Sequence, residues 1–163
     1  MPEEGSDYTV AGMDEKVLRE FLEMPLESTD AVFQKFLDLK IEGRIHEKGK
    51  GDFQEFLYIP GSRSDRVLLV AHADTYWDAR WPQNIGMILP AKEVIWRDHL
   101  DESIDFVNKN GGLGADDRAG CAMLYLLRKT GHSILVTNGE EHGTVGSKWL
   151  KEKHPKVFSE LVS

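Results

Sequence analysis

The sequence predicts an α/β protein: a three-layer sandwich with a mixed, largely parallel central sheet flanked by helices. Three observations carry that expectation. Two short apolar runs, at 67–71 and 133–137, stop abruptly at polar residues, as strands in a sheet interior do. A segment with helical spacing precedes the second run and another follows it. Strand, helix, strand and helix therefore alternate, which is the order of parallel β-α-β units. Finally, 163 residues of 40% hydrophobic content suffice for the core of one domain.

The first stretch, 1–13, is polar and acidic and reads as a flexible leader; 14–163 read as a single domain. Val17, Leu18, Phe21 and Leu22 recur at helical spacing, and Pro25 ends that helix. Ser28-Thr29-Asp30 offers cap chemistry for a second helix, whose core-facing stripe is Val32, Phe33, Phe36 and Leu37. Extended segments at 41–46 and 53–59 flank the turn Gly49-Lys50-Gly51-Asp52 and read as a hairpin closed by Pro60-Gly61. The run at 67–71 reads as a strand buried on both faces of a central sheet. Residues 73–112 show little periodicity. They contain Trp77, Trp81 and Trp96, a short strand at 94–96 and an acidic, solvated run at 98–105, and the Asn- and Gly-rich stretch 108–114 is loop. A helix follows at 117–130, with Ala119, Met123, Leu124 and Leu127 on one face and Gly131-His132 ending it. The strand at 133–137, a helix at 146–153 and a last helix after Pro155 complete the chain.

Composition narrows the function classes. There are 20 Lys and Arg against 28 Asp and Glu, a net charge of −8. That balance weighs against binding to nucleic acid or to an anionic membrane surface. Cys121 is the only cysteine, so an intrachain disulfide and a Cys-rich zinc site are both excluded. No basic-then-apolar leader is present, and no apolar run approaches the ~20 residues of a membrane span. A cytoplasmic location is the expectation.

Three polar clusters stand where elements end or begin. His72-Ala73-Asp74 follows the first apolar run, Gly114-Ala115-Asp116-Asp117-Arg118 opens a helix, and Asn138-Gly139-Glu140-Glu141-His142-Gly143 follows the second run. Each alone has a plain reading: a hydrogen-bonded loop pair, a helix cap, a solvated turn. Together they gather at the edge beyond the carboxyl ends of strands, where α/β sheets carry their sites. Clustered carboxylates repel and a cation relieves them; imidazole with carboxylates suits zinc, and also cobalt or manganese.

The stretches VLLVAHADTYWD, GGLGADDRAGCAMLYLL and ILVTNGEEHGTVGS resemble, in order and spacing, the three N-terminal motifs of the co-catalytic di-zinc exopeptidases. That clan includes zinc aminopeptidases, glutamate carboxypeptidases and deacylases of the acetylornithine deacetylase type. The resemblance covers 14–153 and implies a role for each matching residue. His72 would bind one zinc with Asp74 orienting its ring, Asp116 would bridge two zinc ions, and Glu141 would bind the second. Glu140 would be the general base, and the peptide bond after Asp116 would be cis. The implied activity is metal-dependent hydrolysis of peptide or N-acyl amide bonds, with a peptide or N-acyl amino acid as substrate.

Members of the clan carry two further ligands downstream, an acidic residue and a late histidine. The tail here offers Glu152, His154 and Glu160, none in a recognisable ligand context. The sequence thus reads as the N-terminal part of the catalytic domain, lacking the C-terminal part and incomplete or weakly active alone. A second reading is a catalytically inactive partial domain serving as a binding or assembly module. It would form a homo-oligomer through an exposed apolar sheet edge.

Overall fold

The computed structural model describes residues 7–26, 28–65, 67–75 and 114–162. The expectations for Trp77, Trp81 and Trp96, for a strand at 94–96, for the acidic run 98–105 and for the loop before Gly114 lie outside the described residues, as do 1–6.

Helix α1 spans Asp7–Leu22. It begins inside the stretch read as a leader, because Val10 and Met13 continue the spacing of Val17 and Phe21 backwards by steps of three or four. Helix α2, Asp30–Leu37, buries Val32, Phe33 and Phe36, the stripe the spacing predicts. Thr29 stands at its N-cap without a side-chain cap bond. Its hydroxyl instead accepts a hydrogen bond from the Asn138 amide at 3.0 Å. Strand β1, Ile45–Lys48, starts later than the extended segment read at 41–46. Lys40 and Gly43 have positive φ there, and the Arg44 guanidinium donates to Leu37 O, so 38–44 turns the chain out of α2.

Strand β2, Glu55–Ile59, pairs antiparallel with β1, Ile45 opposite Tyr58. Strand β3 is Leu68–His72 and β4 is Ser133–Thr137. The sheet order is β1-β2-β4-β3. Only β3 and β4 are parallel; β2 runs antiparallel to β4. The expectation of a largely parallel sheet therefore fails, and the fold is α/β with a mixed sheet. The cause is the β1-β2 hairpin: it pairs beside β4 as a unit, and only β3 and β4 are joined by a helical crossover.

The reading of β3 as a central strand fails as well. It lies at the sheet edge among the described residues, and Val70 is 55% exposed. An uninterrupted apolar run does not by itself distinguish an edge strand from a central one.

Helix α3 spans Ala115–Leu127 and buries Arg118, Cys121, Ala122 and Leu124. The face expected to include Met123 is rotated, since Met123 is 54% exposed. Asp116 and Asp117 have non-helical dihedrals, so regular helix begins after them, in phase with the buried Arg118. Helices α4, Val145–Lys153, and α5, Pro155–Val162, close the chain.

The strands alternate between two core clusters, as a period of two requires. Leu57, Ile59, Ala71, Ile134 and Val136 pack with Phe21 of α1, Val32, Phe33 and Phe36 of α2, and Cys121, Ala122 and Leu124 of α3. Phe56 and Leu135 pack with Leu150 and Trp149 of α4 and with Val157 and Phe158 of α5. Each fully buried large side chain contributes about 1.5–3 kcal/mol, and these clusters hold the ends of β3, β4 and α3 in place. No helix among the described residues is long and apolar enough to cross a membrane.

Candidate metal centre

Because β3 and β4 are parallel, their carboxyl ends share one edge of the sheet. The ladder continues one residue further, with the Ala73 N–H donating to Thr137 O at 2.8 Å. His72 ends β3, and Glu140 and Glu141 follow β4, three and four residues beyond Thr137.

The His72 ring is fixed at one nitrogen and presents the other. Nδ1 lies 3.0 Å from the backbone oxygen of Asp74. With the proton on Nδ1, the Nε2 lone pair is available to a ligand. Nε2 is 3.2 Å from Asp116 Oδ1 and 3.8 Å from Glu140 Oε2. One donor atom each from His72, Glu140 and Glu141 lie within 4.8 Å of one another. Ligand atoms about 2.0–2.1 Å from a tetrahedral zinc are separated by about 3.3 Å. The His72–Asp116 distance of 3.2 Å matches that edge, whereas the His72, Glu140 and Glu141 donors, spread over as much as 4.8 Å, would have to close in on an ion.

Asp74 meets the ring twice: its carboxylate lies 3.5 Å from Nδ1, and its backbone carbonyl makes the shorter contact at 3.0 Å. The side chain is 1% exposed and clamps the next motif: Oδ1 accepts the Glu140 N–H and Oδ2 the Glu141 N–H, each at 3.2 Å. One buried carboxylate thereby ties the His72 strand to the Glu140-Glu141 loop.

Helix α3 fixes the backbone of His72. Asp117 Oδ2 accepts the His72 N–H at 3.3 Å, and the Cys121 thiol donates to His72 O at 3.3 Å. Asp117 Oδ1 also accepts the Gly120 N–H at 3.0 Å. A Cβ on Gly120 would collide with that carboxylate, so any other residue there would force Asp117 to move. The Asp116–Asp117 peptide is cis, the geometry the resemblance implies. Asp117, Gly120 and Cys121 were not assigned to the site by sequence reasoning. Their signal is local: an aspartate in the first helical turn with glycine three residues on.

The electrostatics are those of crowded carboxylates around one imidazole. Burial would lower the His72 pKa, but the Asp74 carboxylate and then Asp117 outweigh it and raise it to about 9. Burial acts to raise the Asp74 pKa, yet His72 and the Glu140 and Glu141 N–H groups hold it below the usual carboxylate range. Asp117 is pushed up, chiefly by burial. Glu141 is also pushed up, by burial and then by the charges of Asp116 and Glu140. Burial drives the Cys121 thiol far up, so it stays protonated as a donor. A bound cation would oppose these upward carboxyl shifts.

The remaining histidines near the motifs lie elsewhere. The His142 ring stacks on Phe53 at 3.8 Å. His154 contacts Glu47 at 3.4 Å and sets its ring edgewise to Phe56. Glu152 lines a hollow with Gln54 and Trp149. The Glu160 side chain lies outside the described residues. No protein-family model, curated protein or solved structure matches this chain.

Proposed function

We propose that this chain is a metal-dependent hydrolase domain of the zinc exopeptidase type, acting on peptide or N-acyl amide bonds. The observation that carries this reading is convergence. Three separate segments supply these groups: Asp116 and Glu140 lie 3.2 and 3.8 Å from His72 Nε2, and one donor atom each of His72, Glu140 and Glu141 lie within 4.8 Å of one another. His72, Asp116 and Glu141 are the proposed ligands of zinc, or of cobalt or manganese in its place. Such an ion supplies a Lewis acid that polarises the scissile carbonyl and acidifies the attacking water. Glu140 is half exposed and takes the proton from that water, then hands it to the leaving amine. Asp74 holds Glu140 and Glu141 in register with His72 through their two backbone N–H groups. A three-layer arrangement fits this reading, supported by the two core clusters on alternating strand positions. The buried thiol of Cys121 suits a reducing, cytoplasmic setting.

The test combines metal analysis after zinc dialysis with a panel of aminoacyl and N-acyl amino acid substrates. Zinc retention with turnover is expected. His72→Ala and Asp116→Asn should each weaken zinc binding by about 10–100-fold. Glu140→Gln should keep zinc and lose at least about 100-fold in turnover, as a base rather than a ligand does. Equal zinc affinity in the wild type, His72→Ala and Asp116→Asn would sink the assignment.

One observation favours the second reading, an inactive assembly module: β3 is unpaired on one side among the described residues, with Val70 exposed there. Self-association in sedimentation together with no turnover would select it; a monomer that turns over substrate would eliminate it.

A further inference from the structure

Asp74 anchors the Glu140-Glu141 loop on one side, and the β1-β2 turn meets it on the other. Phe53 stands in that turn, two residues before β2. Its φ is +63°, a region that a bulky residue seldom occupies and that persists where the surroundings fix it. Two contacts of its side chain reach the loop. The ring stacks on that of His142, with centroids 3.8 Å apart and planes 26° from parallel. The Phe53 Cβ also packs over Gly139 so closely that a Cβ added to Gly139 would meet it at 2.4 Å. Gly139 has a φ of +72°, so glycine suits it on both counts. The residues on either side of the Glu140-Glu141 pair, Gly139 before it and His142 after it, thus touch one side chain.

The backbone around this contact runs from the hairpin into the loop. The Glu55 N–H donates to Phe53 O at 2.9 Å, and the Asn138 N–H donates to Glu55 O at 3.0 Å, so the start of β2 sets where the loop begins. The loop then closes on itself. Gly143 and Thr144 both donate to Glu140 O, at 3.0 and 3.1 Å, and the Val145 N–H donates to Gly139 O at 2.9 Å. The Glu140 and Glu141 N–H groups point the other way, to the Asp74 carboxylate. These bonds shape the turn and tie it to the end of β3, and Phe53 ties it to the hairpin. A stacked ring pair in this place resists lifting of the loop away from Asp74.

We propose that Phe53 is a positioning residue: its ring, stacked on His142 and seated over Gly139, holds the Glu140-Glu141 loop against the Asp74 carboxylate. The clamp stands on these contacts alone; its use in setting a general base and a metal ligand rests on the hydrolase reading. The test is amide hydrogen exchange by NMR on the whole chain in EDTA. It follows the Glu140 and Glu141 N–H groups, with Leu57 and Val136 in the core strands as references. Phe53→Gly removes the ring and suits the positive φ, and His142→Ala removes the other ring. Each should speed exchange at Glu140 and Glu141 by about tenfold and leave Leu57 and Val136 as they were. Phe53→Tyr and His142→Phe keep a stacked pair and should show wild-type rates. The double variant Phe53→Gly/His142→Ala should exchange no faster than either single variant, because both remove the same contact. Unchanged Glu140 and Glu141 rates in His142→Ala overturn the proposal, and so does equal acceleration at all four amides there, the mark of a general loss of stability. His142→Ala decides the matter if Phe53→Gly does not fold. A wild type that takes up no zinc would sink the hydrolase reading and leave these exchange rates untouched.

Discussion

At His72, burial works against the imidazolium and the carboxylates of Asp74 and Asp117 work for it; the carboxylates win, and the pKa rises to about 9. The raised value has a consequence for the metal-free protein. The ordinary histidine value is about 6.5, so the folded state binds the proton more tightly than the unfolded chain. The resulting stability is fully present below pH ~6.5 and is lost as pH rises through the folded value of about 9. The shift corresponds to at most about 3 kcal/mol. Urea unfolding in EDTA at several pH values across that window should show stability falling with pH. His72→Gln should flatten the slope. A wild-type profile that is level from pH 6.5 to 9 would mean that the carboxylates do not hold a proton on this ring.

The first turn of α3 is where a single element decides the site. Glycine inside a helix ordinarily costs ~1 kcal/mol relative to alanine, so Gly→Ala is usually favourable. At Gly120 the sign should reverse, because the added Cβ meets the Asp117 carboxylate that accepts the His72 N–H. Gly120→Ala is expected to destabilise by about 1–3 kcal/mol and to weaken zinc binding with it. A stabilising Gly120→Ala, measured by chemical denaturation, would show that Asp117 does not depend on this close approach.

The same element shows what was legible in the sequence and what was not. The α2 stripe, the β4 run and the three strand-end motifs were readable, because each is a local pattern of spacing or polarity. The phase of α3 was not. It follows from the buried Arg118, whose guanidinium donates to Pro25 O and Ser28 O some ninety residues earlier, and burial of a charge has no periodic signature. The edge position of β3 among the described residues and the antiparallel β2-β4 pairing were hidden for a related reason. Which strand the hairpin joins is settled by packing between distant segments, not by the composition of any one of them.

On the scale of the whole molecule, the candidate centre exists only in the folded chain. His72 stands at the end of β3, Asp116 at the start of α3 and Glu140-Glu141 beyond β4, and the sheet and its two cores bring them together. An unfolded chain presents these groups far apart, so a metal that binds the centre must stabilise the fold. At a free zinc concentration 100-fold above the dissociation constant the gain is about 2.7 kcal/mol. For a chain of this size that amounts to a rise in Tm of roughly 5–10 °C, and EDTA should reverse it. The variants separate the centre from adventitious zinc on other histidines such as His46 or His154. Glu140→Gln should retain most of the shift, since its proposed role is to move a proton. His72→Ala should lose most of it, since the only imidazole of the cluster is gone. A Tm that zinc leaves unchanged in the wild type, or raises equally in His72→Ala, would mean that these four side chains come together without forming a metal centre.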